Sequence, residues 1–171
     1  PKYFTSNWLI DDLIDVVSKN GSMLLNVGPD RHGKIDDESK KRLLDIGKWL
    51  EMNGEAIYGT RPWTSYGEGP TFVEGGGHNR RKGEFTAGDI RYTTRDNDLY
   101  IIVMDWPENG VATVKDIWSE LQKNSTEINR IEMLGSGPIN DWFLSETELK
   151  VTFPQSKPCE HAFVLKCELV K

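Results

Sequence analysis

The chain has 171 residues, of which 37% are hydrophobic and 28% charged, and its formal net charge is −6. That composition supports a packed core and excludes a globally disordered chain. The acidic balance argues against a nucleic-acid partner, whose binding leans on Lys and Arg to neutralise phosphates. No apolar run approaches the roughly 18 residues of a membrane span, and Pro1-Lys2-Tyr3-Phe4 lacks both an initiator Met and the basic-then-apolar order of a signal peptide. Such a start fits a fragment or processed product.

In chain order, Leu9, Ile10, Leu13, Ile14 and Val17 recur at helical spacing. Ser6 is placed to cap that helix, and Asn20-Gly21 to stop it. Ser22-Met23-Leu24-Leu25-Asn26-Val27 follows, closed by Gly28-Pro29. A short run that is apolar on both faces is what a buried parallel strand needs when helices cover its sheet. A second helix starts near Asp36-Asp37, whose carboxylates suit the positive helix end; it should turn Leu43, Leu44, Ile46 and Leu50 inward and end at Asn53-Gly54. An α–β–α unit of this kind leaves both edges of its single strand open, so other strands must pair with it.

Residues 64–85 are rich in Gly and read as a crossing segment, with a short strand at Thr71-Phe72-Val73 and a solvated loop around Gly75-Gly76-Gly77 and Arg80-Arg81-Lys82. Beyond it the apolar period changes to two. Strands are expected at 90–94 and 99–104, flanking an Asp96-Asn97-Asp98 turn. Further strands are expected at 111–114, 128–134, 141–144, 149–153 and 162–167, with a helical turn possible in 118–124. Short strands at this spacing predict an antiparallel β-sandwich.

Cys159 and Cys167 lie too far apart along one extended strand to bond and read as free thiols. His32, His78 and His161 are scattered, without metal-ligand spacing. The carboxylates of Asp11-Asp12, Asp36-Asp37-Glu38 and Glu146/Glu148 sit where solvated faces and caps are expected. Asn20-Gly21-Ser22 and Asn124-Ser125-Thr126 fit the glycosylation sequon, which has meaning only in a eukaryotic secretory route.

Leu13–Ile35, "LIDVVSKNGSMLLNVGPDRHGKI", and Leu43–Trp63, "LLDIGKWLEMNGEAIYGTRPW", resemble the stretch that closes the catalytic barrel in glycoside hydrolase family 29 α-L-fucosidases. The strings 89–110 and 153–169 are similar to that family's C-terminal sandwich. The resemblance implies an α+β piece: the last α-β-α of a (β/α)8 barrel over residues 1–63, the crossing segment 64–85, and an antiparallel β-sandwich over 86–171. Met23–Val27 would be the barrel's eighth strand. It implies a retaining hydrolase of terminal α-L-fucosyl linkages with no cofactor and no metal, its partners being a fucosylated glycan and the missing N-terminal barrel segment.

Retaining enzymes hold two carboxyl groups about 5–5.5 Å apart. In the family both come from earlier strands and loops that no position here matches, so no catalytic residue is expected in this chain, which should be inactive alone. Barrel chemistry sits at the C-terminal ends of the strands. Asn26, Asp30, Arg31 and His32 are therefore candidates for the rim of the sugar site, as is the aromatic face of Trp63. For each a packing or turn role competes, as packing does for Glu55. Family members are often exported, which suggests an extracytoplasmic location. A contrasting reading is a carbohydrate-binding sandwich, which would display Tyr100, Trp106, Trp118, Trp142 and Phe143 as a sugar-stacking face; a third, compatible with the first, is a purely structural sandwich.

Overall fold

The structure, a computed structural model, describes residues 3–73, 83–115 and 117–171. The loop expected around Gly75–Gly77 and Arg80–Lys82, with His78, lies outside the described residues. Helix α1 (Ser6–Ser18) is followed by an irregular stretch, helix α2 (Asp37–Asn53) and a 3-10 turn, Gly54–Ala56. Strands β1 (Arg61–Glu68), β2 (Ile90–Arg95), β3 (Asp98–Val103) and β4 (Val111–Val114) precede a short helix α3 (Ile117–Lys123). Then come β5 (Glu127–Met133), β6 (Gly137–Ile139), β7 (Trp142–Leu144), β8 (Leu149–Thr152) and β9 (Phe163–Val170).

Among the described residues the strands form two antiparallel sheets. One has six strands in the order β1-β2-β3-β9-β5-β6, the other three in the order β4-β8-β7. The central strands explain the three-layer arrangement. In β3 and β9 successive side chains point to opposite faces, and both faces are covered. Leu99, Ile101, Val103, Leu165 and Cys167 pack toward the three-stranded sheet with Val114, Leu149 and Val151. Tyr100, Ile102, Met104 and Val164 face the other way, against Ile10, Ile14 and Trp49 of the helices. The six-stranded sheet is thus the middle layer, and the sandwich core and the helix layer share its strands.

The hairpin β2–β3 keeps an uninterrupted register from Ile90↔Val103 to Arg95↔Asp98, turning through Asp96 at φ 55°. A left-handed residue at this point is what a two-residue hairpin demands. Strand β1 starts at Arg61 and runs into the segment 64–85, expected to cross with a strand only at 71–73; it pairs with β2 but slips register between Pro62 and Gly67. A carboxylate pins the start and end of the excursion that follows it. Buried Asp89 accepts from the amides of Thr71 and Thr86, both at 2.8 Å, and from their hydroxyls at 2.9 and 3.0 Å. Of the strand expected at 71–73, only Val73 makes a single bridge.

The helix expectations need four corrections. The N-cap of α1 is Thr5, whose hydroxyl accepts from the Trp8 amide at 3.1 Å. Ser6 lies inside the first turn and donates to Asp45 at 2.6 Å, tying α1 to α2. Asp11 is buried rather than solvated. In α2 the buried anchor is Trp49, while Leu43 and Leu44 face outward, Leu44 at 66% exposure. The fourth correction is the largest. Residues 22–27 form no strand, because a strand exists only through its ladder and no strand among the described residues pairs with them.

Candidate functional site

The proposed sugar-site rim grows from the end of α1. Asn20 turns the chain at φ 64°, and the Gly21 amide donates to the Val16 carbonyl at 2.8 Å. A Cβ on Gly21 would lie 2.8 Å from Val16 Cγ1 and 3.0 Å from its carbonyl oxygen, so the close return of the backbone requires glycine there. The chain then runs through 22–29 with its apolar side chains largely uncovered: Leu24 is 88% exposed and Leu25 is exposed as well. Asn26, Leu25 and Val27 line a small hollow of about 160 Å³ shared with Tyr3, Phe4 and Arg42.

Asp30 organises the next turn. One carboxylate oxygen accepts from the amides of His32 at 2.8 Å and Lys34 at 2.9 Å, and Gly33 completes the turn at φ 78° by donating to the Asp30 carbonyl. Arg31 Nε donates to His32 Nε2 at 3.0 Å, and both side chains stand in solvent. Asp30 shares a hollow of about 370 Å³ with Asp36 and Asp37, but those carboxylates are already engaged. Ser39 gives Asp36 both its hydroxyl at 2.7 Å and its amide at 2.9 Å, which holds the Asp36 carboxyl down at about 2. Asp37 pairs with Lys40 at 3.3 Å. A general acid near neutral pH needs a shift opposite to that of Asp36; by their partners Asp30 makes a turn, Asp36 a cap and Asp37 an ion pair. No group of three or more His, Cys, Asp or Glu among the described residues could hold a metal.

Trp63 does not join this rim. It sits on β1 and packs edge-to-face on Tyr92 at 5.2 Å, against the sandwich core. Glu55 likewise has structural partners, Lys166 at 3.2 Å and Arg95 at 4.0 Å. The sugar-stacking face is not assembled either. Tyr100 is fully buried, Trp106 packs edge-on to Phe153 and Phe163 at 4.9 and 4.8 Å, and Trp118 and Trp142 are half-buried. Of the five rings only Phe143 is open, at 65%. Cys159 and Cys167 are free thiols, and burial raises the pKa of both.

Sequence reading missed the contacts that join the helix layer to the sheet. Asp15 of α1 and Arg91 of β2 form an ion pair at 2.6 Å, and both side chains are almost fully buried. Lys19 reaches the second Asp15 oxygen at 2.7 Å. Trp49 Nε1 donates to the Ala162 carbonyl at 2.9 Å, and the Thr93 hydroxyl to that of Ala56 at 2.7 Å. Asn7 Nδ2 donates to Asp11 at 3.1 Å, leaving its Oδ1 facing His161 Nδ1 at 3.1 Å. Burial lowers the His161 pKa. One signal was available: Asp11 and Asp15 stand four apart, beside the apolar stripe of α1, where a solvated acid would not be placed.

Comparison with known proteins agrees with this layout. Residues 1–55 match the family model for α-L-fucosidase, and residues 83–168 match the model for the α-L-fucosidase C-terminal domain. Tissue α-L-fucosidase of Rattus norvegicus is 33% identical over 165 residues, covering 94% of this chain and 31% of the relative. The Homo sapiens tissue enzyme is 32% identical over 168 residues, covering 95% and 31%. The chain therefore spans about a third of the length of the curated relatives it matches. Among solved structures, Thermotoga maritima α-fucosidase in complex with fucose superposes with a TM-score of 0.72 at 26% identity, over 96% of this chain and 34% of that one. α-L-Fucosidase isoenzyme 1 of Paenibacillus thiaminolyticus gives 0.71 at 25% identity, over 99% and 35%. With a family model matched across the sandwich and a second across the helices, the chain belongs to the α-L-fucosidase family.

Proposed function

We propose that this chain is the C-terminal part of a retaining exo-α-L-fucosidase that removes terminal α-L-fucosyl groups from glycans. On this reading residues 1–63 close a (β/α)8 barrel, 64–85 cross over, and 86–171 form the sandwich that buttresses it. The observation that carries the reading is the uncovered stretch 22–27. Leu24 and Leu25 are exposed, as are Leu43 and Leu44 of α2, and Leu25 and Leu43 line one hollow; burial between neighbouring barrel strands and helices would resolve this exposure. The free edges of such a strand require partners, and the curated relatives are about three times as long as this chain.

In the parent, two carboxylates from earlier barrel strands would perform the double displacement: one attacks the anomeric carbon, the other protonates the leaving oxygen and then activates water. Asn26 and the Asp30–His32 turn would stand at the strand's C-terminal end, on the rim of the fucose pocket. The capped, ion-paired and turn-forming carboxylates of the present chain support its inactivity alone. An extracytoplasmic location is part of the proposal, supported by a relative named plasma α-L-fucosidase in Homo sapiens, 29% identical; parent activity confined to the cytoplasmic fraction of the source cell would refute it. No helix among the described residues is long and apolar enough to cross a membrane.

The test is turnover of an aryl α-L-fucoside. The parent should release α-L-fucose as the first-formed anomer by NMR, and the 171-residue chain should release none. Turnover by the isolated chain would overturn the assignment of catalysis to the upstream segment. A β-anomer formed first by the parent would overturn retention.

A further inference from the structure

The Asp15–Arg91 pair is the buried ionic contact by which the sheet holds the helix that feeds the proposed active-site strand. Arg91 belongs to β2, whose partner β3 is buried on both faces. Its Nη1 donates to the Ile90 carbonyl at 2.9 Å, its guanidinium stacks 4.8 Å from the Phe85 ring, and its Nε meets Asp15 at 2.6 Å. The guanidinium is therefore fixed before it reaches the helix. Asp15 lies in the last turn of α1, and its second oxygen is held by Lys19, whose ammonium rests 4.9 Å from the Tyr66 ring of β1. Beyond it the chain cannot relax freely, since the left-handed Asn20 and the close-packed Gly21 return it tightly against Val16. Displacement of α1 along its axis would thus pass into residues 22–27 and on to Asn26 and the Asp30 turn.

Apolar contacts between α1 and the sheet, through Ile10 and Ile14, supply attraction without direction. A buried carboxylate–guanidinium contact is directional and tolerates little offset. Buried pairs add little net stability beyond an apolar replacement, and registry is their better-attested use.

We propose that Asp15 and Arg91 are positioning residues of the fucosidase site: through them the sandwich sets the axial position of α1, and so the height at which Asn26 and the Asp30–His32 turn meet the sugar. The inference rests on the functional reading above. It also assigns the sandwich a part in catalysis that needs no sugar contact of its own.

The test uses the intact parent with Arg91→Met, Arg91→Lys, the paired change Asp15→Leu with Arg91→Met, and Val151→Ala, which disturbs only the core between the two sheets. For each, kcat, KM and Tm are measured, with amide exchange across 22–27. Arg91→Met should lower kcat/KM about tenfold per folded molecule and speed exchange at 22–27, and Arg91→Lys should recover part of the loss. The paired apolar change should restore Tm toward the wild-type value while kcat/KM stays low. Val151→Ala should lower Tm and leave kcat/KM unchanged.

Wild-type kcat/KM in the paired variant, or equal activity loss in Val151→Ala, would overturn the positioning role. An inactive wild-type parent would instead refute the fucosidase reading. In that event the exchange data alone decide the pair's role: unchanged protection at 22–27 in Arg91→Met and in the paired variant would overturn it.

Discussion

The sandwich and the segment 21–35 are built from similarly apolar material, yet only the first is satisfied within this chain. Strand β3 has neighbours on both edges and layers on both faces, so its residues from Leu99 to Val103 are all buried. Among the described residues Met23–Val27 has no strand on either edge, Leu24 is uncovered, and no strand forms. The difference shows that β structure depends on pairing, not on local composition. It also separates what this chain supplies, a sheet covered by a helix layer, from what the segment 22–27 lacks among the described residues, strands to pair with.

Removing apolar volume should therefore have very unequal consequences in the two regions. Ile101→Ala, in the middle of β3, should destabilise the chain by about 2–5 kcal/mol in urea unfolding. A loss below 1 kcal/mol would mean that the sheet is not the shared middle layer. Trp49→Phe removes the indole bond to the Ala162 carbonyl and leaves that acceptor only the Cys159 thiol at 3.7 Å, at a cost of about 0.5–1.5 kcal/mol. The same unfolding experiment checks it, and a neutral result would contradict the docking of α2 on β9.

His161 sharpens the comparison at the helix–sandwich boundary. Its pKa is lowered in the folded chain by burial, against the opposing pull of Asp45 and Glu160. The unfolded chain therefore takes up this proton first. The associated stability is fully present above about pH 6.5 and declines as pH falls through that value toward the folded pKa. The urea midpoint should drop between pH 7.5 and 6, and His161→Gln should reduce the drop; an unchanged pH slope in that variant would remove His161 from the account. The smallest effect belongs to the unpaired segment. Leu24→Ser should shift the stability of the 171-residue chain by no more than about 0.5 kcal/mol, yet should be clearly destabilising in the parent. Equal effects in both would mean that Leu24 is never buried.

Much of the sandwich was legible because its signals are local. The period-two run 90–104, interrupted at Asp96-Asn97, specified a hairpin, and the later strands announced themselves between turns. Strands β1 and β6 were hidden for physical reasons. Both are sheet edges, and Pro62, Gly67, Gly137 and Pro138 tolerated there read as breakers. The inward face of α2 was misjudged because Leu43 and Leu44 are apolar without being covered among the described residues; periodicity reports an apolar face, not whether a partner covers it.

The candidate rim was legible only as a loop. Asn26 and the Asp30–His32 turn stand on the one segment, but Asp30's turn-forming role depends on backbone amides that no composition reveals, and Trp63 proved to belong to the sandwich core. The Asp15–Arg91 contact spans 76 positions, beyond the reach of any local pattern.

Hydrogen exchange at the amides of Met23, Leu24, Leu25 and Asn26, followed in the 171-residue chain and in the full-length parent under the same conditions, probes the unpaired strand directly. Those amides should exchange rapidly in the chain, like a solvent-exposed loop, and become strongly protected in the parent, where neighbouring strands accept their hydrogen bonds. Protection already present in the isolated chain, or rapid exchange in both proteins, would contradict the assignment of this segment to a barrel completed from upstream.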